Sequence, residues 1–124
     1  MELSHPVAWS ERATLADKAG VYVIARGEPN NTVYIGRTWG TKGIRNRIRA
    51  FHRSAMTGQK GHAGGVTYHE LFGADTSGLL VSVHLPDGIG DRSESLRPYI
   101  AYAERKLIWE HVEEHGGLPA CNSE

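Results

Sequence analysis

The sequence predicts a small α/β (α+β) sandwich, in which helices flank an antiparallel sheet of three strands. Three short segments have the β-branched and aromatic composition of strands, and two longer segments have helical periodicity. Their order along the chain is ββαβα, so two helices have to cover the sheet. With 124 residues, of which 40% are hydrophobic, the chain is large enough to bury one core. We therefore expect a single domain over residues 1–124, in which residues 1–19 form an N-terminal lead-in.

The first two strands are predicted to pair as a hairpin. Residues 20–26 read GVYVIAR and residues 32–36 read TVYIG, and the five residues between them, GEPNN, are typical of a turn. The third strand is predicted at residues 79–85, LLVSVHL, where PDGIG ends it.

Spacing and capping residues define the helices. The first long helix follows Thr41, a candidate cap, and the glycine-rich run 58–65 after it predicts a flexible loop before a short element over 66–72. A second long helix is predicted from near Ser95 to His115. In the lead-in, Ser10 is a candidate cap for a short helix. The apolar stripe of the first long helix consists of Ile44, Ile48, Phe51 and Ala55.

Positive charge is concentrated in one part of a chain whose formal net charge is zero. Residues 37–60 contain half of the 14 basic side chains and no acidic residue. Such a basic stripe is typical of proteins that bind a polyphosphate, and a solvated helix face is the alternative.

The arginines of the first helix differ in their position relative to the apolar stripe. Arg45, Arg49 and Arg53 fall on the opposite side and are predicted to face solvent. Arg47 falls about 60° from Ile44, at the edge of the stripe, where helix and sheet meet. A guanidinium held there suits a bidentate phosphate contact, and pairing with an acid is the alternative.

Glu104 is an anomaly in the last helix. It falls about 40° from Ile100, on the face that carries the core stripe. A carboxylate in that position is costly unless it is paired, hydrogen-bonded or bound to a metal. Glu104 is therefore a candidate functional acid, and an ion pair with Arg47 or another base is the alternative. Two strand tyrosines, Tyr22 and Tyr34, are either core residues or, beside an arginine and a metal, candidate bases.

A second motif points to different chemistry. His111-Val-Glu-Glu-His115 matches H-x-x-E-H, a zinc protease pattern, and Cys121 is a candidate third ligand. Such proteases need a further acidic ligand well downstream, and only nine residues follow His115. A small zinc-binding protein is therefore the weaker alternative.

Taken in order, the motifs resemble those of the GIY-YIG nuclease superfamily. Gly20-Val21-Tyr22 and Tyr34-Ile35-Gly36 resemble the two halves of the motif that names the family. The segment 43–51 resembles the first helix, with Arg47 at the catalytic arginine, and 103–108 resembles the E-x-x-x-I helix, with Glu104 at the metal-binding glutamate. Asn122 resembles the asparagine that closes the set.

The resemblance implies a GIY-YIG-like fold and a metal-dependent endonuclease that hydrolyses phosphodiester bonds in DNA, with RNA as an alternative substrate. Glu104 is expected to hold one divalent cation, Mg²⁺ or Mn²⁺, while Arg47 stabilises the phosphate. Tyr22 is expected to activate water, with Tyr34 beside it, provided that Arg37, Arg47 and the cation lower the tyrosine pKa. A catalytically inactive nucleic-acid-binding module on the same fold is the main alternative.

The remaining candidate residues are assigned to substrate binding. Arg37 follows the second half of the motif, where many family members have lysine, and is expected to contact phosphate or orient water. His62 either reaches the substrate from a mobile loop or is an ordinary loop histidine. Asn122 is expected to orient substrate or to stabilise the C-terminal segment. The full set is Arg37, Arg45, Arg49, His52, His62 and Asn122.

Composition narrows the cellular context. The start of the chain lacks the pattern of a signal peptide, and no apolar run approaches the ~20 residues of a membrane span. The lone Cys121 fits a reducing compartment. We expect a cytoplasmic protein without membrane contact. Its specificity is expected to come from a targeting partner protein or from homodimerisation, and an absence of specificity is the alternative.

Overall fold

A computed structural model describes residues 1–39, 42–86 and 93–124 of the chain. It has an α+β fold in which helices lie on both faces of a four-stranded antiparallel sheet. The strands are β1 (Val7–Ala8), β2 (Gly20–Arg26), β3 (Thr32–Thr38) and β4 (Leu79–His84). The helices are a 3₁₀ helix (Trp9–Thr14), α1 (Gly43–Thr57), α2 (Ala63–Phe72) and α3 (Ser93–His115).

The strands are arranged in the order β1-β4-β2-β3. The predicted hairpin is confirmed as β2 and β3, and the predicted third strand is confirmed as β4, which pairs with β2. The predicted total of three strands was wrong, because β1 pairs through two residues with β4, with Val7 opposite Val81. A two-residue strand is too short to show an alternating pattern.

The sheet separates two apolar cores. One face packs against α1 and α2, and the predicted stripe of α1 is fully buried there. The other face packs against α3, where Val21 and Ile35 meet Ile100 and Ala103. Strand β3 lies at an edge of the sheet, so residues from both layers can reach the space beside it.

The start of α2 corrects a prediction. Residues 63–65 were predicted to belong to a flexible loop, but they form the first turn of α2. A Cβ atom at Gly65 would lie 2.6 Å from the carbonyl oxygen of Phe51, so the missing side chain lets α2 pack closely on α1. Glycine was interpreted as a helix breaker, whereas here it permits helix contact.

The other helix predictions differ in detail. The helix predicted from Ser10 is a 3₁₀ helix whose N-cap is Ala8, and no side chain caps it. Helix α3 begins at Ser93, two residues before the predicted start, and ends at His115 as predicted. The candidate cap Thr41 and residues 87–90 after β4 lie outside the described residues. Within the described ranges, no helix combines the length and apolarity that crossing a membrane requires.

Candidate active site

A cleft of about 330 Å³ opens beside the edge strand β3. Strand β2 contributes Tyr22 to its wall, β3 contributes Tyr34 and Arg37, α1 contributes Arg47, and α3 contributes Glu104. The four residues proposed for catalysis from the sequence therefore line a single cleft.

The pairing register of the hairpin explains how both layers reach this cleft. Tyr22 lies opposite Gly36 and Tyr34 lies opposite Ile24, so both tyrosines point to the face covered by α1. Arg37 follows Gly36 in β3, so its side chain points to the opposite face, which is covered by α3. The cleft at the strand edge joins the two faces.

Gly36 leaves the space that the two phenols occupy. A Cβ atom at this position would lie 2.6 Å from Oη of Tyr22 and 2.6 Å from Cε2 of Tyr34. Real Cβ atoms do not approach other atoms so closely, so any side chain at position 36 would displace the tyrosines.

Tyr22 is a buried phenol with a raised pKa. The residue is 1% exposed, and burial raises its pKa above the ordinary value, with a further contribution from Tyr34. The Arg47 guanidinium lowers the pKa, but by less than burial raises it. The arginines alone therefore do not lower the pKa of Tyr22 below its usual value, and the neutral phenol is the resting form without a cation. The expectation that the arginines and a bound cation together lower it stays a prediction. The pKa of Tyr34 is also raised, chiefly by burial and then by the negative charge of Glu104.

Glu104 is paired with Arg37 rather than with Arg47. Nη1 of Arg37 lies 2.5 Å from Oε1 of Glu104, whose side chain is 12% exposed. Arg37 also stacks on Trp39, with 4.6 Å between Cζ and the ring centroid. The predicted position of Glu104 on the core face is confirmed, and its cost is offset by an ion pair, as the alternative interpretation required.

Arg47 has a different environment. It is half-buried and lines the cleft, and its charge acts on Tyr22, Tyr34 and His62. Among the residues that the structure describes, no carboxylate lies within 4.0 Å of its guanidinium. The alternative in which Arg47 pairs with an acid is therefore not what the described part of the chain shows.

His62 lies behind Tyr22 rather than in a mobile loop. It is 1% exposed, it caps α2, and its Nε2 lies 2.8 Å from Oη of Tyr22. The prediction that His62 belongs to a mobile loop was wrong, because it is buried and caps α2. His62 is not among the residues that line the cleft, and its assignment to substrate binding stays a prediction. Helix α2 needs an N-cap residue just before Ala63, and His62 stands at that position. The glycine run concealed the start of this helix, and with it the role of His62.

Asn122 closes the edge of the sheet. Its Oδ1 accepts from the amide of Ile35 at 2.9 Å, and its Nδ2 donates to the carbonyl of the same residue at 2.9 Å. The amide of Cys121 donates to the carbonyl of Val33 at 2.8 Å. Asn122 therefore stabilises the C-terminal segment along β3, which is one of its two predicted roles, and it also lines the cleft.

Besides His62, three of the predicted substrate-binding residues do not line this cleft. Arg45, Arg49 and His52 line a separate surface depression on the outer side of α1. Arg45 was predicted to face solvent, but it is half-buried, and its Nε and Nη2 both donate to the carbonyl of Leu15, at 3.1 and 3.0 Å. Nδ1 of His52 accepts from the indole of Trp9 at 2.9 Å. Arg49 and Arg53 are exposed, as predicted.

The cleft also contains residues that the sequence analysis did not single out. Arg105 and Thr67 line it, from α3 and α2. Arg105 follows Glu104 directly in the sequence and is exposed. Its position next to Glu104, the candidate functional acid, was the available signal.

The donors of the cleft fit a magnesium-type cation. Such a cation takes one or two carboxylates and completes its coordination with water and substrate phosphate oxygens. Glu104 supplies one carboxylate in a polar cleft, although Arg37 contacts its Oε1. Mn²⁺ favours the same oxygen ligands.

The zinc alternative gains no support. Nδ1 of His111 lies 2.8 Å from the carbonyl oxygen of Gly117, and Cys121 is buried, which raises the pKa of its thiol to about 11. Within residues 1–39, 42–86 and 93–124, no three His, Cys, Asp or Glu side chains are grouped to hold a metal.

No protein-family model matches the chain, and no curated protein matches it. The GIY-YIG resemblance therefore rests on the residues themselves and stays a prediction.

Proposed function

We propose that the protein is a metal-dependent endonuclease that hydrolyses phosphodiester bonds in DNA at this cleft. The observation that carries the proposal is that Tyr22, Tyr34, Arg47 and Glu104, which come from four different elements, line one cleft. Phosphodiester hydrolysis needs a group that takes a proton from the attacking water and groups that stabilise the charge developing on the phosphate. The phenols can serve as the first kind of group, and the guanidinium as the second.

Arg47 suits the phosphate contact. Its guanidinium has no acidic partner in the described part of the chain, and it lies close enough to Tyr22 and Tyr34 for its charge to act on both phenols. A planar guanidinium donates to two oxygens of a phosphate at once, and such charge-assisted bonds strengthen as negative charge builds up on those oxygens.

Glu104 is the residue proposed to hold the cation. A bound Mg²⁺ supplies Lewis acidity at the phosphate and neutralises charge at the leaving oxygen. For Glu104 to offer both oxygens, Arg37 has to release Oε1. Arg37 and Arg105 both line the cleft, so a released Arg37 has substrate phosphate as its next partner.

Tyr22 is proposed to take the proton of the attacking water. Because burial raises its pKa, this role requires that its own proton leaves first, and the positive charge of Arg47 favours the phenolate that results. Tyr34 lies beside it, with ring centroids 6.0 Å apart, and positions water or substrate.

A nicking assay tests the proposal. Purified protein is incubated with supercoiled plasmid with and without Mg²⁺, and Glu104→Gln is compared with Glu113→Gln, a change at an exposed position of the same helix. We expect Mg²⁺-dependent nicking that falls by about 100-fold or more in Glu104→Gln, the scale of losing a group that stabilises the transition state, and stays at the wild-type rate in Glu113→Gln. Equal rates for Glu104→Gln and wild type would refute the site.

The ion pair between Arg37 and Glu104 favours a second candidate, a nucleic-acid-binding module without catalysis. A carboxylate that stays paired does not bind a cation. This candidate predicts salt-sensitive DNA binding and no nicking at any Mg²⁺ concentration. The same plasmid assay, combined with a binding measurement, separates the two candidates.

A further inference from the structure

His62 connects the proposed active site to the start of α2. Its backbone amide donates to Oγ of Ser54 at 3.1 Å, and its ring lies edge-on to Tyr34 and Phe51, with centroids 5.1 and 5.2 Å apart. Within the described part of the chain, Arg47 is the charged group that acts on the ring. The residue is almost fully buried, and both ring nitrogens have protein partners in place of water.

The cap of α2 fixes which nitrogen carries the proton. The amide of Gly65 donates to Nδ1 of His62 at 3.2 Å. A backbone amide can only donate, so Nδ1 has to present its lone pair. Burial and the charge of Arg47 lower the pKa of His62 to about 4, so the ring is neutral near pH 7. Its single proton therefore sits on Nε2.

The consequence falls on Tyr22. Nε2 of His62 lies 2.8 Å from Oη of Tyr22, so the imidazole donates and the phenol oxygen accepts. The hydroxyl proton of Tyr22 then has to point elsewhere. Arg47 offers only donors, whereas Oη of the neighbouring Tyr34 and molecules in the cleft can accept that proton.

We propose that His62 is a positioning residue of the active site, which donates from Nε2 to Oη of Tyr22 and thereby directs the Tyr22 proton into the cleft. The inference rests on the proposed function. It excludes His62 as a base toward Tyr22, because Nε2 already carries a proton and Nδ1 is engaged by Gly65. When the Tyr22 proton leaves to an acceptor in the cleft, the phenolate keeps the His62 hydrogen bond. Oη then takes a proton from the attacking water, as the water oxygen bonds to phosphorus and the leaving oxygen departs.

Two substitutions separate the contact with Tyr22 from the cap. In His62→Asn the side-chain oxygen lies near the position of Nδ1, so it can cap α2, but the side chain is too short to reach Tyr22. In His62→Gln the amide nitrogen lies near the position of Nε2 and can donate to Tyr22, while the cap is lost. We expect kcat to fall about tenfold or more in His62→Asn, at nearly unchanged KM and Tm, because one hydrogen bond of ~1.4 kcal/mol corresponds to a factor of ten. His62→Gln is expected to keep kcat within about threefold, at a lower Tm. A purely structural His62 predicts the reverse, so full activity in His62→Asn, or activity that follows Tm, would overturn the proposal.

A measurement without substrate keeps this inference separate from the proposed function. The ¹⁵N shifts of the His62 ring near pH 7 are expected to show a protonated Nε2 and an unprotonated Nδ1. The opposite tautomer, or a doubly protonated ring, would overturn the proposal even if the protein cleaves DNA. If the wild type does not cleave DNA but the expected tautomer is found, the proposed function fails, while the hydrogen bond to Tyr22 stands.

Discussion

Two sides of helix α1 use arginine in different ways. On the cleft side, Arg47 lines the cleft with Tyr22 and Tyr34 and has no carboxylate within ion-pairing distance in the described part of the chain. On the outer side, Arg45 is held by the carbonyl of Leu15, and Arg49 is exposed. Arg12 joins them from the 3₁₀ helix, where it donates to the carbonyl of Trp9 and lies over its ring.

The difference shows that clustered charge does not by itself distinguish the arginine that lines the cleft from its neighbours. The four arginines of α1 lie within nine residues of one another, yet their distances from the apolar stripe differ. A position at the edge of the stripe places Arg47 between helix and sheet, where packing restricts it. On the side of α1 away from the stripe, Arg45 binds a nearby backbone carbonyl and Arg49 remains in water.

The comparison is tested most severely by the pair Arg47→Ala and Arg49→Ala. We expect Arg47→Ala to lower the single-turnover nicking rate by about 100- to 1000-fold, the scale of losing one donor to the developing charge. Arg49→Ala is expected to change that rate by less than about threefold at saturating enzyme, because Arg49 lies outside the cleft. Similar losses in the two variants would remove the distinction between the two sides of α1.

The buried side of the comparison predicts a pH effect on stability. The pKa of His62 is about 4 in the folded protein and has an ordinary value of 6.5, so the unfolded chain takes up the proton first as the pH falls. His62 therefore leaves the free energy of unfolding unchanged above about pH 6.5 and lowers it progressively as the pH falls from 6.5 to 4. The loss amounts to roughly 3 kcal/mol, given the ~1.4 kcal/mol that each tenfold change in proton affinity represents.

Denaturant unfolding at pH 7 and pH 4.5 measures this effect. The free energy of unfolding of His62→Asn is expected to change less over this interval than that of the wild type, because the substitution removes the titrating group. His5→Asn, at an exposed position, serves as the control and is expected to behave like the wild type. An equal pH dependence in His62→Asn and wild type would show that His62 does not titrate as its burial requires.

The edge of the sheet gives an intermediate effect. Asn122→Ala removes two hydrogen bonds to Ile35, and we expect a loss of about 2 kcal/mol in the free energy of unfolding, at ~1 kcal/mol for each bond. Asn30→Ala, in the exposed hairpin turn, is the control. Because Asn122 also lines the cleft, we expect Asn122→Ala to lower the nicking rate as well. An unchanged free energy of unfolding in Asn122→Ala would contradict the two hydrogen bonds to Ile35.

The smallest expected effect is on salt dependence. Arg49→Gln is expected to weaken DNA binding only a few-fold and to reduce the slope of log K against log salt concentration by about one, as for the loss of one phosphate contact. Arg45→Gln is expected to reduce the slope less, because Arg45 already binds the carbonyl of Leu15. Equal slopes for Arg49→Gln and wild type would place the DNA elsewhere on the surface.

Periodic features were predictable from the sequence. The hairpin, strand β4 and the buried stripe of α1 each repeat a pattern over several residues, and all three are confirmed. Strand β1 is too short to carry a pattern, and the first turn of α2 was concealed by glycines whose role is close packing against α1. Local composition reports the propensity of a segment, whereas these two features depend on contacts with distant residues.

The candidate site was predictable to the level of position but not of partner. Helical periodicity placed Arg47 and Glu104 on inward-facing edges, and the structure brings both to one cleft. Periodicity did not show that Arg37 rather than Arg47 pairs with Glu104, because that pairing depends on the face of β3 to which Arg37 points. Nor did it show that His62 is buried against Tyr22, 40 residues away in the chain.

The absent side chain at Gly36 has a consequence for how the hairpin aligns. Tyr22 and Gly36 are direct partners across β2 and β3. A slip of two residues would keep every apolar side chain on its own face, so hydrophobicity alone does not forbid it. It would, however, set either Tyr34 or Thr38 against the ring of Tyr22, in a volume that is already full. Steric exclusion at this one position thus selects a single alignment of the two strands.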